Sequence, residues 1–350
     1  MKFRFFKKIF VFILLLLAAY FCYLHVSWFK EQYRHAKGIY YIYKGDCAYS
    51  ADNMGKTLEY YTAGLKLFPK HYEAWFNLGN IYAVHEDYYS AVDAYLHAIE
   101  ANPKFVMARM NLGIVYSEDL GMFDDAIEQF EAIPKIKLFK LWIPYVYSNI
   151  KSIKANRGLA YFNKGVAWKQ KAMYLPYEKR YLMYEYLGNA IESYTKAMQF
   201  IKNNYDIYYN RAVARHLRGD YKDAGLDYCR AIDIAPMKFE GHYNLAVLLN
   251  HLNRSLDSAS ELKKAAILIS ESPSSSTIET AYIFNLLNEV TRKLIISDEY
   301  YTQKLTDSPM ERLSYTYING NIVSSEDFDK AIYQNFKTCA GFIFFKDDEE

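Results

Sequence analysis

The chain has 350 residues, 52% of them hydrophobic and 23% charged, which supplies apolar side chains for a sizeable core and excludes a disordered polyelectrolyte. Its formal net charge of +2 excludes a globally basic nucleic-acid binder.

In chain order, residues 1–8 (MKFRFFKK) form a basic tail, and residues 9–29 (IFVFILLLLAAYFCYLHVSWF) hold 21 positions without an Asp, Glu, Lys or Arg. At about 1.5 Å of rise per residue, such a helix reaches about 30 Å, the thickness of a bilayer core. A cleaved signal peptide normally has a shorter apolar core followed by small residues. Here the apolar run continues through Tyr20, Phe21 and Tyr23 to Trp28, so the expectation is an uncleaved transmembrane signal-anchor. Lys2, Arg4, Lys7 and Lys8 before the span, against Lys30, Arg34 and Lys37 after it, favour a cytoplasmic N-terminus and an extracytoplasmic chain, periplasmic or lumenal. Besides Cys22 there are only Cys47, Cys229 and Cys339, widely separated, which predicts neither a disulfide framework nor a CxxC site.

A 34-residue period follows. It separates Gly45, Gly79 and Gly113, and likewise Tyr41 from Trp75, Pro69 from Pro103, Ala190 from Ala224, Tyr194 from Tyr228, and Asn210 from Asn244. In the unit 72–105, Trp75, Leu78, Gly79 and Tyr82 share one face of a first helix, and Ala91, Tyr95 and Ala98 one face of a second. Pro103 stops that second helix because it has no amide hydrogen to donate. Trp75, Leu78, Gly79, Tyr82, Ala91, Tyr95, Ala98 and Pro103 together make the unit resemble a tetratricopeptide repeat, all eight signature positions being filled.

The resemblance implies an all-α, right-handed solenoid of about six helix-turn-helix repeats over residues 38–270, near 38–71, 72–105, 106–134, 158–203, 205–238 and 239–270. The third unit needs one extra residue before Ala126. The fourth carries an insertion before Ala190, and the fifth has Arg215 where an aromatic is usual. Residues 135–157 form a basic insertion that interrupts the period, and 271–277 read as a linker. Residues 278–350 form a capping region, in which Ile283, Leu287, Val290 and Leu294 mark a capping helix. Further on, "YTYINGNIV" carries an Asn-Gly hairpin signal, and "SSEDFDKAIYQNF" reads as a capped helix.

The sixth position of each repeat, which faces the concave groove in the family, carries Asn77, Asn111, Asn163, Asn210 and Asn244 in five of the six units. A carboxamide offers a donor and an acceptor together, so a row of them suits the backbone of an extended peptide segment. The row is similar to the asparagine ladder of O-linked N-acetylglucosamine transferases. The fifth position adds Phe76, Met110, Phe162, Tyr209 and Tyr243 as walls for apolar side chains. Asparagines at this position also serve simply to solvate the groove or bond neighbouring helices, so the architectural reading stands beside the binding one. A chaperone C-terminal carboxylate is not the expected ligand, because positions two and five carry no Lys or Arg to clamp it.

Between Glu131 and Glu178 the chain has no acidic residue, and Lys135, Lys137, Lys140, Lys151, Lys154 and Arg157 form the basic patch of the insertion. An anionic membrane surface is one candidate partner for it; solvated lysines on an inserted loop are the plainer account. The eight His show no HExxH or metal spacing, and there is no GxSxG or phosphate loop, so no enzyme, metal or cofactor is expected. The expected function is a membrane-anchored scaffold that binds a protein or peptide segment in its groove, with no nucleic acid. The alternative is a structural or lipid-contacting organiser of a membrane complex acting through residues 135–157.

Overall fold

The computed structural model describes residues 12, 14–17, 19–21, 23, 25–136, 144–270, 277–297, 315–318 and 321–324. Helices run in pairs: α1 (Val26–Ser50) with α2 (Met54–Leu67), α3 (Tyr72–Val84) with α4 (Tyr88–Ala101), and α5 (Val106–Ile114) with α6 (Phe123–Ala132). They are followed by α7 (Pro144–Met173) with α8 (Met183–Met198), α9 (Tyr205–Arg218) with α10 (Tyr221–Ile234), and α11 (Phe239–His251) with α12 (Ser255–Ser270). A single helix, α13 (Thr277–Ser297), comes last. The chain forms two compact units that divide inside α6, between Gln129 and Phe130.

The pairing follows from the sequence locally. Asn53, Asp87 and Asn204 cap α2, α4 and α9 by accepting from the amides of Lys56, Ser90 and Ile207 at 3.0–3.2 Å. α2, α4 and α10 each end two residues before Pro69, Pro103 or Pro236. In five of the six pairs, the turn passes through one left-handed residue: Asp52, Glu86, Gly121, Gly219 or Asn253. Only two of those five are glycine, so the turn is set by the helices on either side rather than by glycine's freedom.

In three of the pairs, what fixes the distance between the helices is an aromatic ring on a bare backbone. A Cβ added at Gly79 would lie 2.6 Å from the Tyr95 ring, and one at Gly165 would lie 2.6 Å from the Tyr194 ring. Gly45 meets Tyr61 in the same way, at 3.2 Å. Tyr61, Tyr95 and Tyr194 are all buried, so each ring fills the space that its partner glycine leaves.

Three departures from strict periodicity have structural accounts. The extra residue of the third repeat is absorbed by a π-helical turn, Val115–Asp119, where the Leu120 amide reaches back to the Val115 carbonyl at 3.1 Å. The insertion before Ala190 holds a 3-10 turn, Tyr177–Leu182. The expected boundary at residue 158 is not an element boundary. Residues 144–157, assigned from the sequence to the insertion, continue into the repeat's first helix as one helix, α7, opened by Pro144. A helix needs no repeat signature to propagate, and proline is well placed in its first turn.

The capping helix forms as expected: Ile283, Leu287 and Val290 of α13 are buried against Ala246, Leu262, Ala265 and Ile269. Leu294 lies on α13, with its side chain outside the described residues. The all-α expectation needs one correction. β1 (Tyr315–Ile318) and β2 (Asn321–Ser324) pair antiparallel, Ile318 opposite Asn321, as the Asn-Gly signal between them predicts. The helix expected in "SSEDFDKAIYQNF" lies outside the described residues.

The transmembrane anchor expected over 9–29 falls partly on residues outside the described set. Among the described residues no helix is long and apolar enough to cross a membrane. The cysteine expectation also changes. Cys47 is an exposed free thiol, whereas buried Cys229 is disulfide-bonded. Wide spacing in sequence hid that bond, because pairing depends on distance in space.

The glycine contacts predict opposite effects for one substitution at two sites. Gly79→Ala forces a methyl group into the Tyr95 ring and should destabilise the protein by about 1–3 kcal/mol. Gly55→Ala, where nothing lies within 4 Å, should be neutral or stabilise it by about 0.5 kcal/mol. Urea unfolding of the two variants, compared at their midpoints, checks both.

Candidate functional site

The five asparagines lie half-buried on the first helices of their pairs. Four have described hydrogen bonds, and each of the four reaches back to the preceding repeat. Asn77 Nδ2 donates to the Tyr61 hydroxyl at 3.5 Å, and Asn111 Nδ2 to Asn80 Oδ1 at 2.8 Å. Asn244 Nδ2 donates to the Tyr209 hydroxyl at 2.7 Å, and Asn210 Oδ1 accepts from Lys169 Nζ at 2.6 Å. Asn210 and Asn244 also donate to the carbonyls of Asp206 and Glu240 one turn back. These bonds leave the carbonyl oxygens of Asn77, Asn111 and Asn244 without a hydrogen-bond partner among the described residues. The carboxamides therefore staple successive repeats, and three of them keep an acceptor open.

The tyrosines at the pair interfaces take part in this network. Tyr95 donates to Asn80 Oδ1 at 2.8 Å, and Tyr61 donates to Asp46, each acceptor being the residue just after the glycine under the ring. After Gly165 the corresponding residue is Val166, and the buried Tyr194 hydroxyl has no hydrogen-bond partner among the described residues. Burial followed by the nearby Glu240 pushes the Tyr209 phenol up to about 12, so it is a neutral hydroxyl when it accepts from Asn244.

The fifth-position residues divide. Phe76 meets Phe105 edge-on at 5.1 Å, Phe162 tilts against Tyr194 at 5.8 Å, and Tyr209 stacks on Tyr205 at 5.5 Å. These rings and Tyr243 remain half-buried, whereas Met110 is buried in the core and walls no groove.

The basic patch is only partly described. Lys135 is exposed at 4.0 Å from Glu131, Lys154 is exposed and Arg157 half-buried. Lys137, Lys140 and the side chain of Lys151 lie outside the described residues. Lys169 behaves differently: burial pushes its ammonium below the ordinary lysine value, and it caps Asn210.

Two charged clusters were not legible as such. Asp227, whose carboxylate is 6% exposed, takes a bidentate pair from Arg211 at 2.7 and 2.8 Å and a third bond from Arg215 at 2.7 Å. That explains Arg215 in place of an aromatic: the apolar contact is replaced by an ion-pair network between α9 and α10. In the last repeat, buried Glu261 bonds His242 Nδ1 and Lys264 Nζ, both at 2.7 Å, while His242 Nε2 faces the Pro236 carbonyl. Burial alone would raise the Glu261 carboxyl, but Lys264 and His242 outweigh it and pull it down to about 2. His216 and His251 do approach, with centroids 6.4 Å apart, while His242 is committed to Glu261. Among the described residues no group of three His, Cys, Asp or Glu is placed to hold a metal ion.

With paired helices, tyrosine-on-glycine contacts and the 34-residue period in view, comparison with known proteins is direct. Residues 36–104 match the tetratricopeptide repeat family. Residues 36–104 carry tetratricopeptide repeats. Over 65 residues the chain is 40% identical to UDP-N-acetylglucosamine–peptide N-acetylglucosaminyltransferase of Giardia intestinalis, covering 19% of this chain and 4% of the length of that relative. Among solved structures, PilW, a type IV pilus biogenesis factor, superposes with a TM-score of 0.50 at 13% identity, over 69% of this chain and 98% of PilW. That likeness is one of fold alone. YrrB, a tetratricopeptide-repeat protein with an unusual peptide-binding site, matches at a TM-score of 0.43 and 14% identity, over 60% of this chain and 93% of its own, and adds nothing further.

Removing Asp227 leaves the half-buried Arg211 without a carboxylate partner and Arg215 with Asp223 alone, at 3.6 Å, so Asp227→Ala should cost about 1–3 kcal/mol in urea unfolding. Glu261 contributes through its depressed pKa. Its stabilisation is complete above the ordinary carboxyl value of 4.5 and is lost as pH falls toward about 2. Glu261→Gln should therefore be less stable than wild type at pH 6, and the gap should narrow steadily between pH 4.5 and pH 2 when the two urea midpoints are compared.

Proposed function

We propose that this protein is a membrane-tethered tetratricopeptide-repeat scaffold, and that its asparagine-bearing face binds an extended segment of a protein partner. The observation that carries the reading is the open acceptor on Asn77, Asn111 and Asn244, each held in place by a staple to the preceding repeat. A staple fixes the carboxamide's orientation before any ligand arrives, so the ligand does not bear the entropy of ordering it. Backbone amides of an extended segment are the natural donors to such a row, and recognition through them is independent of side-chain sequence.

Residues 9–29 provide the tether in this proposal. Within that stretch, Phe12, Leu14, Leu15, Leu16, Leu17, Tyr20 and Phe21 are all exposed, an apolar surface that is costly in water and at home in lipid. The charge bias across the span favours an extracytoplasmic location for the repeats in this proposal.

The test separates ligand contact from stapling. Asn77→Ala/Asn244→Ala removes both the staples and the open acceptors. Tyr61→Phe/Tyr209→Phe removes the hydroxyls that those asparagines bond but leaves the carboxamides. In-cell crosslinking followed by affinity capture of the intact protein should lose its partner with the first double variant and retain it with the second. At about 1 kcal/mol for each lost bond, affinity for that partner should fall about tenfold or more with the asparagine variant. Equal retention by both variants would make the asparagines purely architectural.

A further inference from the structure

At the start of the first unit, three helices line an open-sided cavity of about 270 Å³, with Asp46, Tyr49 and Ser50 exposed at its rim. Asp46, Tyr49 and Ser50 come from the end of α1, Tyr61 from α2, and Asn77, Asn80 and Ile81 from α3. Counting donors and acceptors shows what the cavity has left to offer. Tyr61 spends its proton on Asp46 Oδ1, leaving the second carboxylate oxygen open. Asn77 spends an N–H on the Tyr61 hydroxyl and keeps its carbonyl. Ser50 spends its proton on the Asp46 carbonyl at 2.9 Å and keeps an accepting oxygen. Asn80 Oδ1 accepts from both Tyr95 and Asn111 at 2.8 Å, so its amide nitrogen is what remains.

The balance is one-sided. The cavity lining holds one formal negative charge and no Lys, Arg or His, and Asp46 has no ion-pair partner among the described residues. Three residues with open acceptors, Asp46, Asn77 and Ser50, line the same small volume. A single group suited to displace water from all three is cationic and carries several N–H donors at fixed angles. A guanidinium does so, with five donors in a planar fork, whereas an ammonium presents a compact point charge and a carboxamide presents no charge. Tyr49, Tyr61 and Ile81 supply apolar surface for the methylene stem and ring faces for the cation. The Asn80 amide nitrogen remains for a backbone carbonyl of the same segment.

We propose that the cavity between α1, α2 and α3 is a recognition pocket for an arginine side chain, with Asp46 as the charge partner and Asn77 as the second acceptor. The inference rests on the segment-binding reading above only in taking the arginine to belong to an extended segment. It adds side-chain selectivity to a row of carboxamides that would otherwise read backbone alone. Fit to the pocket depends on charge as well as shape, so arginine is separated from its neutral isostere citrulline.

The test uses the intact, detergent-solubilised chain and two small probes, N-acetyl-arginine methylamide and N-acetyl-citrulline methylamide, followed by saturation-transfer NMR. Wild type should bind the arginine probe at least tenfold more tightly than the citrulline probe. Asp46→Asn keeps an oxygen to accept from Tyr61, so the fold should hold by circular dichroism, and the preference should fall to within twofold. Equal affinity of wild type for the two probes overturns the proposal without need of any variant, and so does a preference that survives in Asp46→Asn. The outcome is also separable from the segment-binding reading. Loss of the partner in Asn77→Ala/Asn244→Ala together with no arginine preference leaves the groove standing and removes the pocket. Arginine selectivity with an unaffected partner does the reverse.

Discussion

In three of the helix pairs, closeness depends on a tyrosine ring lying flat on a glycine. At Gly79 and Gly165 there is no room for even a methyl group between backbone and ring. Because the ring is buried, its hydroxyl must be aimed along the helix pair at whatever follows the glycine. That one steric condition decides where polar chemistry can arise. Where Asp46 or Asn80 follows, the hydroxyl is satisfied and the acceptor is locked in orientation. Where Val166 follows, the same hydroxyl is left without a partner among the described residues.

The asparagines build on that arrangement. Each described one reaches back to the repeat before it, so the stack is held by directional bonds in addition to apolar contact. Hydrophobic burial is roughly proportional to area and indifferent to register, whereas a hydrogen bond at 2.7–2.8 Å is not. The staples therefore select one stacking geometry from those that the apolar faces would tolerate. They also leave acceptors open in fixed positions, which makes architectural and binding roles of the same residues compatible.

The second unit adds buried charge to these staples. Between α9 and α10 the apolar contact gives way to Asp227 held by Arg211 and Arg215, and in the last pair Glu261 is held by His242 and Lys264. Buried ion pairs of this kind contribute little net stability over apolar packing, but they penalise any alternative that separates them. Both clusters sit beside apolar surfaces that continue into the next helix, and α13 closes the last of these by burying Ile283, Leu287 and Val290. A stack of repeats needs such an end, because each repeat offers its neighbour a face that water would otherwise meet.

The sequence by itself determined the helical pairs, their period, their stops at Pro69, Pro103 and Pro236, the capping stripe of α13 and the hairpin at Asn-Gly. These are local matters, fixed by residue spacing and backbone chemistry within a few turns. It also placed the five asparagines on equivalent positions, because a repeat position is a property of the sequence. Only the tertiary structure decided what those asparagines touch, since Tyr61 and Asn77, or Tyr209 and Asn244, meet across a repeat boundary. The same holds for the burial of Met110, the pairing of Arg215 with Asp227, and the continuation of α7 through an expected insertion. The Asp46 cavity depends on packing most of all. Its walls come from three helices, and its unspent acceptors are known only once every neighbour's hydrogen bonds have been assigned.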